Sequence, residues 1–169
     1  MVRRPSDAGV RVARYGRGVS GRYLEDFAVG EVIGSGEEYE MTPERIHAFA
    51  SDYDPQPIHL DSDAARESMF GGIIASGWHS LSATMRLMVR SNIFDGAPTV
   101  GVGIENLRYL KPVRAGDRLH ARGKVLDVRA SGSNPERGYL VLRVITTRQD
   151  GEPVLTQDWT VLVPRRPAV

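Results

Sequence analysis

Apolar and polar residues follow different patterns in the two halves of the chain. Between residues 42 and 90, apolar residues recur every three or four positions, which is the spacing of amphipathic helices. From residue 99 onward they form short runs separated by polar turns, which is typical of β-strands. The pattern therefore predicts a helical region followed by a β-rich region.

Three helices are predicted in the first region. One begins at Thr42–Pro43, because a hydroxyl N-cap followed by proline is a helix-start signal, and it ends near Asp52. A short helix over residues 62–67 is expected to be capped by Asp61. The longest apolar element runs from about Gly77 to Val89. Because it is apolar over most of its circumference, we expect other structure to wrap around it.

The β-rich region is predicted to form four consecutive strands joined by short polar turns, which implies an antiparallel meander. The Asp150–Gly151 turn is a strong hairpin signal. An earlier strand adds a fifth, so we expect an α+β fold with a curved antiparallel sheet of about five strands around one long helix. The predicted strands span residues 31–41, 100–110, 118–128, 139–147 and 154–163.

The composition indicates one globular domain. The 169 residues are 41% hydrophobic and 25% charged, and the formal net charge of +1 argues against a nucleic-acid or membrane-surface partner. The sequence contains no cysteine, which excludes disulfides, thiolate metal sites and a cysteine nucleophile. No apolar run approaches the ~18 residues of a membrane span. We expect a cytoplasmic protein.

The domain is predicted to cover residues 23–169. Residues 1–22 are polar and carry six arginines against one acid, without a periodic apolar face. A flexible basic tail is the favoured interpretation of this segment.

Candidate chemistry is concentrated between residues 52 and 80. Asp54 and His59 lie five residues apart, and Pro55 and Pro57 stiffen the backbone between them, since proline restricts the residue before it to extended conformations. The start of the apolar helix follows at Ser76–Gly77. An acid/base pair followed by a helix N-terminus suits chemistry on a carbonyl compound through an enolate-like intermediate.

Two segments of this region resemble the motifs of a known family, the MaoC-like dehydratases or (R)-specific enoyl-CoA hydratases, which have the hot-dog fold. The run DPQPIHLD at residues 54–61 is similar to the family's D-x-N-P-x-H signature. The run FGGIIASG at residues 70–77 is similar to its F-G-x-x-I-x-H-G segment. Residues 107–117 resemble its strand-and-turn pattern, and the whole resemblance covers roughly residues 23–163.

The resemblance implies that Asp54 and His59 are the catalytic pair and that the backbone N–H of Gly77 polarises a thioester carbonyl. Further residues are expected at the oxyanion and substrate site, namely Ser76, Gln56, Gly72, Trp78 and His79. The residue pattern alone leaves two of these open. His79 suits packing or a substrate pocket better than the role of a second base, and the Gly71–Gly72 pair suits a simple loop better than a phosphate cradle.

Three positions depart from the family's pattern. Gln56 stands where asparagine is usual, and Ser76 stands where histidine is usual. Met85 lies near a position at which some hydratases carry serine. Gln56 retains the side-chain amide, whereas the other two departures bear on substrate choice more than on reaction class.

The expected function is the interconversion of 2-enoyl and (R)-3-hydroxyacyl thioesters of coenzyme A or acyl carrier protein. A hot-dog acyl-CoA thioesterase and a non-catalytic acyl-thioester-binding module remain alternatives. Many hot-dog thioesterases place their carboxylate on the central helix, and here that helix has no Asp or Glu between Gly77 and Asn92. This favours the hydratase.

No metal and no cofactor are expected, except coenzyme A as part of the substrate, because the four histidines lack the spacing of metal ligands. A five-stranded sheet leaves an open edge, and such edges are usually paired or covered. We therefore expect a homodimer or a dimer of dimers.

Overall fold

The computed structural model describes residues 21–34 and 36–167. The predicted tail lies outside the described residues except for its last two, Gly21 and Arg22. Arg22 pairs with Glu31 at 2.8 Å, and its guanidinium lies 4.0 Å from the centre of the Phe27 ring. These contacts attach Arg22 to the domain, whose described part thus begins slightly before the predicted boundary.

Four helices and six strands make up the described part of the chain, after a 3₁₀ turn at Leu24–Asp26. The helices are α1 (Pro43–Tyr53), α2 (Pro57–Leu60), α3 (Ser62–Glu67) and α4 (Gly77–Arg90). The strands are β1 (Val32–Gly34), β2 (Tyr39–Glu40), β3 (Val100–Tyr109), β4 (Arg118–Ala130), β5 (Arg137–Thr147) and β6 (Pro153–Pro164).

Side-chain caps start the three longer helices at or next to the predicted residues. The Thr42 hydroxyl accepts a hydrogen bond from the N–H of Arg45, and Asp61 accepts from two N–H groups in the first turn of α3. Ser76 does the same for α4, since its hydroxyl accepts from the N–H of Trp78 at 3.2 Å. Each cap satisfies a donor that has no acceptor inside its helix.

The strand order is β1-β4-β5-β6-β3, and β2 also pairs with β4. The predicted meander is therefore correct for β4, β5 and β6 but wrong for β3, which pairs with β6 at the far edge of the sheet. The chain between β3 and β4 contains Pro112 and does not form a tight hairpin. The N–H groups of Leu110 and Lys111 donate to the carbonyl of Val154, so the first residues of this connection remain hydrogen-bonded to β6. The predicted first strand is divided into the short β1 and β2.

Helix α4 packs across one face of the sheet. A Cβ atom on Gly123 of β4 would lie 2.9 Å from the Cε atom of Met88, so this glycine allows the helix to approach the sheet closely. Other structure was expected to wrap around α4, but one face of the helix is exposed. Trp78, Met85 and Val89 are 64%, 45% and 59% exposed within the single chain.

The predicted α+β architecture with one long helix on an antiparallel sheet is confirmed. Within the ranges that the structure describes, no helix is long and apolar enough to cross a membrane.

Candidate active site

The backbone between α1 and α2 holds Asp54 and His59 in place. Asp54 ends α1 with φ −152° and ψ 68°, so it does not adopt the extended conformation expected before Pro55; its N–H donates to the carbonyl of Ala50 at 3.0 Å. Gln56 is extended, as expected for a residue before proline, and Pro57 occupies the first position of α2. His59 therefore lies in a short helix, which is not among the three helices predicted from the sequence.

Asp54 and His59 face each other. The Nε2 atom of His59 lies 3.3 Å from Oδ2 of Asp54, and the imidazole is only 4% exposed. On its other side, Nδ1 of His59 donates to the carbonyl of Ile74 at 2.8 Å. This hydrogen bond assigns a proton to Nδ1 and directs Nε2 at the carboxylate.

The carboxylate of Asp54 accepts two further hydrogen bonds. The Ser76 hydroxyl donates to Oδ2 at 2.6 Å, and the Gln56 amide donates to Oδ1 at 2.8 Å. Together they hold the pKa of Asp54 below its ordinary value, Ser76 contributing most, Gln56 next, and the nearby His59 charge less. Asp54 thus stays ionised under mildly acidic conditions.

Gly77 is the first residue of α4, so its N–H has no acceptor within the helix and lies at the positive end of the helix dipole. The Tyr109 ring packs directly over this glycine. A Cβ atom at position 77 would lie 2.8 Å from Cε1 and 2.9 Å from Cζ of that ring. Only glycine leaves room for Tyr109 here.

A cavity of about 460 Å³ connects these groups. Asp54, His59 and Gly77 all contribute to its wall, and so do two other predicted residues, Gln56 and Trp78. The remaining lining is mostly apolar and comes from the Phe70–Ala75 segment, Ser80, Val154 and residues 109–113. The predicted acid/base pair and helix N-terminus therefore share one cavity.

Three predicted residues do not line this cavity. Ser76 is 1% exposed and is engaged by Asp54 and the Trp78 N–H. Gly72 lies in the loop before α4 in a left-handed conformation. His79 lies on the other side of α4.

His79 is buried against aromatic side chains. Its ring stacks on Phe49 with centroids 4.7 Å apart, and Nε2 is 3.1 Å from the Tyr39 hydroxyl. Nδ1 has no hydrogen-bond partner among the described residues. Burial, with a smaller contribution from the Arg45 charge, lowers the pKa of His79 to about 4. The packing interpretation of this histidine is the one that its contacts support.

Tyr109 is a cavity residue that the sequence analysis did not identify, and Arg114 supports the loop beside the cavity. Arg114 donates to the carbonyls of Phe70 and Ile73, at 2.5 and 3.5 Å, and so holds the loop before α4. Burial raises the pKa of Tyr109, and its hydroxyl forms no hydrogen bond with the described residues. Only the loose match of residues 107–117 to a strand pattern pointed to this region.

Comparisons with known proteins agree with this architecture. A family model described as "MaoC like domain" matches residues 26–145. The crystal structure of a MaoC-like dehydratase from Rhodospirillum rubrum is 42% identical, covers 88% of this chain and 100% of its own, and superposes with a TM-score of 0.80.

Two curated relatives are similar over most of their length. Nodulation protein N from Rhizobium meliloti is 32% identical over 149 residues, which are 82% of this chain and 88% of that protein. The 3-hydroxyacyl-thioester dehydratase Z from Mycobacterium tuberculosis is 30% identical over 108 residues, 63% of this chain and 72% of that protein. With a family model that matches well over half of its residues and an antiparallel sheet packed on one central helix, this hot-dog chain belongs to the MaoC-like domain family.

Proposed function

We propose that this protein is a hydro-lyase that interconverts 2-enoyl and (R)-3-hydroxyacyl thioesters, with Asp54 and His59 as its acid/base pair. The observation that carries the proposal is the approach of His59 Nε2 to Asp54 Oδ2, at 3.3 Å, in the cavity that also contains the start of α4. Membership of a family with dehydratase relatives supports the reaction class.

The proposed reaction adds water across the Cα=Cβ bond. The water oxygen bonds to Cβ, and the π electrons move through Cα to the thioester oxygen, which becomes an enolate. Asp54 and His59 Nε2 take up the proton that the water loses, and a proton returns to Cα as the enolate collapses. No net proton or electron is gained, and positioned transfers of this kind typically contribute ~10²–10⁴-fold. The chemistry requires no metal, and coenzyme A enters only as part of the substrate.

Two donors are proposed for the enolate oxygen. The first is the Gly77 N–H, aided by the α4 dipole. The second is the Tyr109 hydroxyl, because its ring lies against Gly77 and its raised pKa keeps it protonated. The remaining predicted substrate contacts, Gln56 and Trp78, are proposed to border the acyl thioester at the cavity wall.

The oligomer is proposed to be a homodimer formed through β3. This strand is one of the two edges of the sheet, and nine of its ten residues are exposed. The exposed residues include Val100, Val102 and Ile104, which are 59%, 57% and 47% exposed. A long apolar edge strand in a monomer would invite uncontrolled pairing, and a second copy of the chain covers it.

The location in the cytoplasm stays a prediction.

Incubation with crotonyl-CoA tests the reaction class. Loss of the ultraviolet absorbance of the enoyl thioester without release of free thiol is the expected result. Thiol release would instead indicate a thioesterase, and neither signal would favour an acyl-thioester-binding module.

Substitution of the pair tests the residue roles. Asp54→Asn and His59→Ala are each expected to abolish hydration, because one removes the base and the other its partner. The exposed His47, on α1, provides the matched control His47→Ala. Circular dichroism and melting measurements check that the variants fold. Wild-type rates in either active-site variant would refute the assignment.

A further inference from the structure

Gln157 is a buried polar residue for which the proposed reaction has no use. It lies in β6, is 1% exposed, and neither Oε1 nor Nε2 has a hydrogen-bond partner among the described residues. An unpaired buried amide is destabilising, because it loses its hydrogen bonds to water without replacing them. A leucine of similar size would avoid that loss, so the amide is expected to have a partner other than the described residues.

Other polar groups lie on the same face of the sheet. Trp159, two residues along β6, is 4% exposed and its Nε1–H also has no partner among the described residues. Gln157 is in register with Val144 of β5, so Thr146 is its diagonal neighbour, within reach of a long side chain. The Thr146 hydroxyl is 2.7 Å from that of Thr84 on α4.

We define the polar seat as the group formed by Gln157, Trp159, Thr84 and Thr146. None of its four side chains lines the candidate active-site cavity, but the group lies close to it. Ser80 lines that cavity, and Thr84, one helical turn further on, donates to the Ser80 carbonyl at 2.8 Å. On the sheet, Thr146 is in register with Leu155, which follows the cavity-lining Val154.

The length of α4 sets the distance between the polar seat and the proposed reaction centre. Seven residues separate Gly77 from Thr84, which corresponds to roughly 10 Å along the helix. An acyl chain of medium length, held by its carbonyl at Gly77 and lying along α4, reaches this depth. A crotonyl chain is too short.

The chemistry of the polar seat selects its ligand. On this face, the residues of β4, β5 and β6 are apolar except for Thr146, Gln157 and Trp159, and none of them is ionisable, so a charged group here would be buried without a counter-charge in these strands. Asp158, the nearest acid in β6, points to the opposite face and pairs with Arg143 at 2.8 Å. Gln157 presents an NH₂ group and a carbonyl oxygen, and Trp159 presents one N–H. A neutral hydroxyl supplies both a donor and an acceptor, so it offers each kind of partner that these groups lack.

We propose that the acyl cavity extends to the polar seat and that the seat binds a neutral hydroxyl group carried near the far end of a medium-length acyl chain. This proposal rests on the proposed function for the identity of the substrate's thioester end. The expected preference is for oxygenated acyl thioesters over plain fatty acyl thioesters of the same length.

The test compares 2-octenoyl-CoA with the same thioester hydroxylated at its terminal carbon. Wild-type protein is expected to have a kcat/KM at least about tenfold higher for the hydroxylated chain, since a site built to hydrogen-bond a hydroxyl discriminates against the analogue without it. Gln157→Leu is expected to abolish or reverse this preference. Thr160→Val, on the opposite face of β6, is the control and is expected to retain it.

A binding measurement separates the two proposals. The saturated hydroxylated octanoyl-CoA is titrated calorimetrically into the wild type and into Gln157→Leu. The variant is expected to bind it more weakly than the wild type does. Discrimination in binding without any hydration would overturn the proposed function and support the polar seat. The proposal for the polar seat would be overturned if the wild type had equal rates and affinities for the plain and the hydroxylated acyl chains, or if Gln157→Leu affected both acyl chains equally. A buried water would then be the occupant of the polar seat. A melting temperature at or above that of the wild type verifies that the variant folds.

Discussion

Ser76 is the residue with the largest influence on the proposed base. The family pattern implied a substrate contact at this position, yet its hydroxyl is engaged twice inside the protein. It donates to Asp54 Oδ2 at 2.6 Å and caps α4 through the Trp78 N–H. One side chain therefore couples the ionisation of Asp54 to the start of the helix that carries Gly77.

Replacement of Ser76 is expected to shift the pH dependence of enoyl-CoA hydration. Ser76→Ala removes the strongest hydrogen bond that favours the carboxylate, so the pKa of Asp54 rises towards its ordinary value. The acidic limb of the kcat/KM profile for enoyl-CoA hydration is then expected at higher pH than in the wild type. Loss of the cap costs about 1 kcal/mol of stability as well. Ser76→Thr is expected to restore both properties, whereas an unchanged acidic limb in Ser76→Ala would contradict the prediction.

His79 provides a second prediction at this scale, concerning stability. Its pKa is about 4 in the folded protein and 6.5 in an ordinary setting, so between these values the unfolded chain binds more protons. The free energy of unfolding therefore rises with pH across this window and falls on acidification towards pH 4. His79→Phe keeps an aromatic ring against Phe49 and removes the titration.

Melting temperatures recorded from neutral pH down to about pH 4 check this expectation. The wild type should lose stability more steeply below pH 6.5 than His79→Phe. His47→Phe, at an exposed position of α1, is the matched control and should follow the wild type. Parallel curves for wild type and His79→Phe would show that His79 does not carry the effect.

At the scale of elements, the contact between α4 and β3 defines the end of the cavity at which the oxyanion site is proposed. Two effects of opposite sign meet at Gly77. Alanine is favoured over glycine in a helix by up to about 1 kcal/mol, but a Cβ atom here would lie 2.8 Å from the Tyr109 ring. Overpacking of this kind typically costs 1–3 kcal/mol, so the clash is the larger effect.

Gly77→Ala is therefore expected to lower both the melting temperature and the hydration rate. A double-mutant cycle with Tyr109→Ala identifies the cause, since removal of the ring should relieve the instability that the new Cβ introduces. Gly132→Ala, where a Cβ would meet no atom within 4 Å, is the control. Additive effects in the cycle would show that the ring contact is not responsible.

At the scale of the whole molecule, the exposed β3 edge predicts the assembly. Val102→Lys places a charge on this edge and is expected to convert a dimer into a monomer, because a desolvated lysine would face the partner strand. Light scattering at micromolar concentration gives the mass. Val29→Lys, at an exposed valine in the turn before β1, should remain dimeric. A monomeric wild type would refute this assembly.

Much of the local structure could be predicted because its causes are local. Thr42 with Pro43, Asp61 and Ser76 begin their helices through contacts within three residues. The prolines around Gln56 restrict the backbone directly. Asp54 and His59 were predicted to act together, because five residues of stiffened chain limit how far apart they can lie.

Long-range contacts decided the rest. The position of β3 beside β6 depends on hydrogen bonds between residues about fifty positions apart, and strand patterns say nothing of order within a sheet. Tyr109 reaches Gly77 only through that order. Nothing in the sequence marked Gln157, and the burial of Gln157 and His79 became visible only with the packing of α4. The sequence by itself thus determined which residues start the longer helices and stiffen the backbone around Gln56, and which carry the proposed acid and base. Only the tertiary structure decided what surrounds them, because burial and hydrogen bonding depend on neighbours that are distant along the chain.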